Sequence, residues 1–189
     1  MIRGERVTLR PLDLDEDVEL CYQWINNPEI TQYLRIIGPI TRIREREMLE
    51  GRDLLGEGAD LMLAVDADDG TYIGNCGLQE IDRRARKAEL GVMIGDQRYW
   101  NQGYGRDIVT TLCAFGFTQM NLQRIALGVY SHNPRAQRCY EACGFQHEGQ
   151  LRRAVYAMGD YRDEIRMAIL REEFMQRYPE RVPEGMVTE

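Results

Sequence analysis

Trp100-Asn101-Gln102-Gly103-Tyr104-Gly105-Arg106 stands between an alternating apolar segment that ends near Ile94 and residues 105–119, whose Ile108, Val109, Leu112 and Phe115 recur at helical spacing. The order is strand, glycine turn, helix. Closely spaced glycines just before a helix leave bare N–H groups pointing outward at an anion, and the positive end of the helix dipole adds to the attraction. A pyrophosphate suits such a turn, although a plain tight turn into a helix would read the same way. A Rossmann dinucleotide loop suits it less, because Ile108 stands where the third glycine is required.

Outward from this turn, the period changes from element to element. Residues 7–11 alternate as a first strand. Residues 13–26 carry an acidic opening turn and apolar Val18, Cys21, Tyr22 and Ile25 at helix spacing. Asn27-Pro28 interrupts that helix, a short second one runs to about residue 34, and residues 41–55 form a charged surface helix. Residues 61–65 and 72–78 are strands joined by Asp68-Asp69-Gly70, and residues 88–94 extend the meander. After the central helix come a strand at 124–130, a helix at 134–143, and two strands over 156–170 joined at Gly159-Asp160. The predicted order is βααα-βββ-α-β-α-ββ, an α/β (mixed α+β) fold with helices covering a central sheet. The tail from Arg171 is expected to hold a helical turn or two and frayed last residues.

The 189 residues, with 43% hydrophobic and 29% charged, suit one globular domain with a core of its own. A formal charge of -7 supplies no basic field for nucleic acid or anionic lipid, and it would welcome a cationic acceptor. The five cysteines lack CxxC spacing and are expected to be reduced core residues. Neither a signal-like apolar run nor a stretch of roughly 20 apolar residues is present, so no membrane association and a cytoplasmic location are expected.

The second informative stretch is Asn133-Pro134-Arg135-Ala136-Gln137-Arg138-Cys139-Tyr140-Glu141-Ala142-Cys143-Gly144-Phe145. Asn133 reads as an N-cap, Pro134 as the first helical residue and Gly144 as the left-handed stop, with Ala136, Cys139, Tyr140 and Cys143 on one face. Taken together, the glycine turn and this Asn-x-x-Ala-x-x-x-Tyr-x-x-x-Gly-Phe helix closely resemble the coenzyme A motifs of GNAT acetyltransferases. Leu9-Arg10-Pro11-Leu12, Trp24-Ile25-Asn26-Asn27-Pro28-Glu29 and Met158-Gly159-Asp160-Tyr161-Arg162-Asp163 are similar to the branch holding ribosomal-protein N-terminal acetyltransferases and spermidine acetyltransferases. The resemblance implies a largely antiparallel sheet with one splayed parallel pair, flanked by helices. The domain would span residues 1–170, with 171–189 as a helical turn and flexible tail. It further implies acetyl-CoA as cosubstrate, no metal, and acetyl transfer to a primary amine by direct attack without a covalent enzyme intermediate. A homodimer is compatible with it. A non-catalytic acyl-CoA-binding sensor is the alternative from another class.

Carried over residue by residue, the resemblance makes the backbone amides of Gln102, Gly103, Tyr104, Gly105 and Arg106 the pyrophosphate cradle. Val92, Met93 and Ile94 become the splayed strand that holds the pantetheine arm, and Asn133 and Ala136 belong to the coenzyme-binding helix. Gly91 suggests a bulge or close backbone approach in that strand. Tyr140 matches the tyrosine that protonates the departing thiolate; a phenol near pKa 10 can supply a leaving group whose conjugate acid lies near about 8–9. Glu89 is the preferred base, with Asp96 and Glu80 behind it, since alternation sets it on one face with Gly91 and Met93. Arg106, Arg135 and Arg138 are candidates for the coenzyme's 3′-phosphate. His132 and His147 lack metal-ligand spacing and read as structural or surface residues.

The acceptor, a small molecule or a protein N-terminus, is expected between the N-terminal helices, the loop 36–40 and the hairpin 156–161. Asp13, Asp15, Glu16, Asp17, Glu19 and Glu29 gather there in sequence and would suit a polyamine or a protein N-terminus, while a solvated helix face explains them equally. An amino sugar stays open as a third acceptor.

Overall fold

The structure, a computed structural model, describes residues 1–36, 38–50 and 60–181. Strands β1 (Ile2–Arg3), β2 (Val7–Arg10), β3 (Leu61–Ala67), β4 (Tyr72–Asp82) and β5 (Lys87–Ile94) make an antiparallel run; β6 (Arg124–Tyr130), β7 (Gln146–Ala157) and β8 (Asp160–Leu170) complete the sheet. Its order is β1-β2-β3-β4-β5-β6-β8-β7, and β5–β6 is the parallel pair. This is the largely antiparallel mixed sheet that the resemblance implied.

Helices α1 (Leu14–Ile25), α2 (Pro28–Thr31) and α3 (Arg42–Glu50) precede β3, and α4 (Tyr104–Thr118), α5 (Pro134–Cys143) and α6 (Arg171–Arg177) follow β5, β6 and β8. Two apolar bodies result. The larger gathers β5 residues Ala88 and Leu90 with Ile108, Leu112 and Phe117 of α4 and Phe174 of α6. The smaller joins Cys21 and Trp24 of α1, Leu49 of α3 and Met93 of β5. Alternation along β5 therefore sends Ala88 and Leu90 to the α4 side and Met93 to the α1–α3 side. Each fully buried α4 side chain contributes about 1.5–3 kcal/mol by leaving water.

Asp107, in the first turn of α4, fastens the amino-terminal turn to this helix. Its carboxylate accepts from the amides of Glu5 (3.1 Å), Arg6 (2.7 Å) and Val7 (3.1 Å), and Arg181 Nη2 also donates to it at 3.1 Å.

The differences from the sequence reading have physical causes. Strand β7 begins at Gln146, ten residues before the predicted start, because nearly all of it is exposed on the sheet edge and no buried face imposes alternation. The two-residue β1 and a 3₁₀ turn at Gln97–Tyr99 are too short to carry a period. Helix α2 ends at Thr31 rather than near 34, and Tyr33 and Leu34 continue in turns, their amides donating to Ile30 and Thr31. The predicted extension of α3 to 55 and the frayed end of the tail fall largely outside the described residues.

Candidate active site

Strands β5 and β6 pair only from Lys87↔Arg124 to Glu89↔Ala126, while β4 accompanies β5 as far as Gly74↔Ile94. Beyond Glu89 the parallel pair parts, leaving one edge of residues 90–94 without a strand partner among the described residues. A backbone edge of this kind exposes donors and acceptors that must bond to something else. A cavity of about 930 Å³ opens at the wedge, lined by Val92, Met93 and Ile94 of β5, Gly128 and Tyr130 of β6, and residues of α3, α4 and α5. Gly91 pairs with Gly77 in unbroken register, so it marks no bulge, and Glu89, Gly91 and Met93 share one face as alternation requires.

The turn before α4 holds Asn101 at φ 59° and Gly103 at φ 92°, both left-handed. For Gly103, the N-cap of α4, a side chain would cost backbone strain. The amides of Gln102, Gly103, Tyr104 and Gly105 have no hydrogen-bond partner among the described residues, whereas Arg106 N already donates to Gly103 O at 3.1 Å. Arg106 lines the cavity together with Arg135 and Arg138. Four free amides at the positive end of a 15-residue helix, with three guanidiniums alongside, fit a coenzyme pyrophosphate and 3′-phosphate. The Tyr104 side chain points elsewhere: its hydroxyl donates to Asp68 Oδ1 at 2.6 Å and accepts from Arg6 Nη2 at 2.9 Å. Only its backbone amide stands among the free amides of the turn.

Trp100 performs two tasks not foreseen. Its indole Nε1 donates to Ile94 O at 2.8 Å, tying the end of β5 to the glycine turn, and the Arg135 guanidinium lies over its ring at 3.7 Å. The pair spans the space between the turn and the start of α5. Asn133 caps α5 by accepting from Ala136 N at 3.1 Å, and both residues line the cavity.

Tyr140 lies on α5 with its ring 5.9 Å from that of Phe145, half-buried and lining the same cavity. Its hydroxyl makes no hydrogen bond among the described residues and is not sealed from solvent. Burial of the ring, with the neighbouring thiols of Cys139 and Cys143, pushes the phenol well above its ordinary pKa, so it keeps its proton through the physiological range. Cys139 is half-buried and its pKa is lowered, first by the hydrogen bond from Cys143 and then by Arg106 and Arg135.

Glu89 stands at the apex of the wedge and is held by Arg166 of β8. Arg166 also meets Glu164 Oε1 at 3.1 Å, and Glu164 accepts from Arg35 Nη2 at 2.7 and 2.8 Å. These three partners were missed because nothing local in sequence marks them; Glu164 and Arg166 recur at strand spacing, and only the β6–β8 register carries them to Glu89. Glu80 is exposed and lines the cavity, whereas Asp96 is engaged as the cap of the 3₁₀ turn and as the partner of Arg98 at 2.6 Å.

Five of the six acidic residues expected at the acceptor site are engaged with other groups, and the sixth, Glu16, is exposed. Asp13 caps α1, Asp17 is buried against Arg10 (2.7 Å), Glu19 pairs with Arg42 (2.8 Å), Asp15 pairs with Arg46, and Glu29 accepts from Gln97 Nε2 (2.7 Å). Carboxylates lining the cavity come instead from Glu45, Glu80 and Glu89. The hairpin tip is turned to solvent, with Tyr156 and Tyr161 exposed, and Ile36 of the expected loop lines the cavity while Ile37 lies outside the described residues. His132 is stacked between Tyr33 and Tyr130 at 5.5 and 5.6 Å, and His147 pairs with Glu141 at 2.8 Å. Among the described residues no three His, Cys, Asp or Glu side chains are grouped to hold a metal ion, and no helix is long and apolar enough to cross a membrane.

Comparison with known proteins joins these observations. The acetyltransferase (GNAT) domain profile matches residues 6–146. The N-acetyltransferase p20 of Bacillus licheniformis, itself uncharacterised, is 33% identical over 173 residues, covering 90% of this chain and 96% of the relative. Spermidine N(1)-acetyltransferase of Vibrio cholerae is 30% identical, covering 92% and 98%. The crystal structure of spermidine N-acetyltransferase from V. cholerae in complex with CoA and spermine superposes with a TM-score of 0.81 at 29% identity, covering 89% of this chain and 98% of that one. A dodecameric form of the V. cholerae enzyme gives a TM-score of 0.76. With its wedge between β5 and β6, its free amides before α4 and a family match across most of its length, the chain belongs to the GNAT acetyltransferases and is an N-acetyltransferase that uses acetyl-CoA.

Proposed function

We propose that the acceptor is a polyamine of the spermidine class, acetylated at a terminal primary amine. The observation that carries this reading is the polarity of one cavity: α4 and α5 line it with Arg106, Arg135 and Arg138, and α3, β4 and β5 line it with Glu45, Glu80 and Glu89. The first wall suits phosphates and the second suits an amine that arrives as a cation. The naming of relatives as spermidine acetyltransferases supports the same acceptor.

Acetyl-CoA supplies an activated acetyl group and a thiolate leaving group. The free amides of residues 102–105 and the helix dipole hold the pyrophosphate, and the edge of β5 at Val92, Met93 and Ile94, beyond its pairing with β6, aligns the arm beside Glu89. Glu89 accepts the proton from the incoming ammonium, directly or through water, and the free amine attacks without a covalent enzyme intermediate. Tyr140, kept protonated by its surroundings, delivers a proton at sulfur.

Thiol release in the presence of acetyl-CoA, with spermidine, glucosamine and a peptide bearing a free N-terminus supplied separately, tests the reading, and mass spectrometry identifies the product. Acetylspermidine should dominate. Turnover of the peptide or the sugar with none of spermidine would replace the polyamine reading.

A further inference from the structure

Glu164 is a buried carboxylate just behind the cavity wall, paired with an exposed cation, Arg35, that lines the cavity. Its side chain is 4% exposed, and that of Arg35 is 64% exposed. Register explains how it comes there. Arg166 lies opposite Gly128 and Glu164 opposite Tyr130, while Met167 and Ile169 belong to the α4-side core. Alternation therefore turns Glu164 and Arg166 to the opposite face, where Arg166 meets Glu89. The carboxylate lies directly on β6: a Cβ on Gly128 would stand 2.0 Å from Glu164 Oε1, so a side chain there would push the carboxylate aside. Arg35, Glu89, Gly128 and Tyr130 all line the cavity that receives the acceptor.

The charges Glu89, Arg166, Glu164 and Arg35 alternate in sign along this chain of contacts. Arg166 is divided between two carboxylates, so Arg35 completes the balance at Glu164. It does so through a single nitrogen: Nη2 reaches both oxygens, at 2.7 and 2.8 Å. The two-nitrogen fork that makes arginine hard to replace is not used, and an alkylammonium, a compact point charge with three donors, can reproduce a one-nitrogen contact. An amine about to be acetylated has to lose its proton, whereas one bound to a buried carboxylate keeps it.

Resting on the polyamine reading above, we propose that Glu164 anchors a second, non-reacting ammonium of the acceptor, and that Arg35 occupies that place until the acceptor displaces it. The site thereby selects molecules with two or more amines over monoamines.

Calorimetric titration of the CoA-saturated protein with spermidine and with n-butylamine tests the anchor whether or not turnover occurs. Arg35→Ala, at an exposed side chain, should tighten spermidine severalfold by removing the competing cation, and Arg35→Lys should restore wild-type affinity. Glu164→Gln should weaken spermidine by about tenfold or more and leave n-butylamine unchanged. Unchanged or weaker spermidine binding in Arg35→Ala overturns the proposal, as does an equal loss for both amines in Glu164→Gln. Because Arg35→Ala leaves the buried carboxylate in place, it decides the matter even where Glu164→Gln folds poorly. Absence of acetylspermidine from wild-type reactions would instead count against the polyamine reading, separately from the anchor.

Discussion

Gly105 and Cys139 face each other where α4 and α5 converge, with space for one carbon between them: a Cβ on Gly105 would lie 3.5 Å from Cys139 Sγ. Gly103 differs, because a Cβ there would make an ordinary contact, 3.7 Å from Arg6 Nη1, but its φ of 92° is left-handed. Gly105→Ala should therefore keep the fold and most of the CoA affinity. Gly103→Ala should cost about 1–2 kcal/mol of backbone strain or reshape the turn. CoA titration with melting curves checks this; equal effects at the two positions would mean that φ is not what distinguishes them.

Cys139 should be the first thiol of the folded protein to react. Cys21, Cys76, Cys113 and Cys143 are buried, and Cys139 is half-buried with its pKa lowered by the Cys143 hydrogen bond, Arg106 and Arg135. A lowered pKa means that thiolate persists as pH falls, so alkylation by iodoacetamide should decline at a lower pH than it does for a free thiol. Bound CoA should slow the reaction, because Cys139 lines the cavity beside the glycine turn. Peptide mapping after partial alkylation identifies the site, and label at Cys113 or Cys76 before Cys139 would contradict the assignment.

Asp107→Ala should be among the more damaging substitutions far from the acceptor. It leaves the amides of Glu5, Arg6 and Val7 and the guanidinium of Arg181 without their common acceptor. A buried donor left unsatisfied costs about 1–3 kcal/mol, so a loss of roughly 2–4 kcal/mol is expected for the group. Denaturant unfolding measures it, and a change below about 1 kcal/mol would mean that water replaces the carboxylate.

Local features were legible in the sequence and tertiary ones were not. The central helix and the glycine turn could be read because Ile108, Val109, Leu112 and Phe115 repeat at helical spacing after Gly103 and Gly105. The resemblance led to Glu89, Val92, Met93 and Ile94, and the wedge opens beside them. Strand β7 escaped because an exposed edge strand has no apolar face to reveal it. The acidic residues of α1 read equally as an acceptor site or a solvated helix face, because nothing local shows that Asp17, Glu19 and Asp15 meet the tertiary neighbours Arg10, Arg42 and Arg46. Glu164 was invisible because its place beside Gly128 and Arg166 follows from a strand pairing that no local pattern specifies.

The hydroxyl of Tyr140 separates catalysis from packing. Phenylalanine keeps the ring, its contact with Phe145 and its position on the cavity wall. Because the hydroxyl has no partner among the described residues, its removal should change stability by no more than about 1 kcal/mol. CoA affinity should also survive, since the proposed cradle consists of the free amides before α4 rather than this oxygen. If Tyr140 supplies the proton to sulfur, kcat should fall on the order of 10²- to 10⁴-fold. The pH dependence gives an independent check with a definite sign. Burial raises this phenol above its ordinary value, so the neutral acid persists as pH rises and wild-type kcat should show no loss attributable to Tyr140 up to about pH 10. Steady-state rates of wild type and Tyr140→Phe across that range decide the assignment. A kcat within about threefold of wild type, far below the usual contribution of a positioned acid, would transfer the role to water.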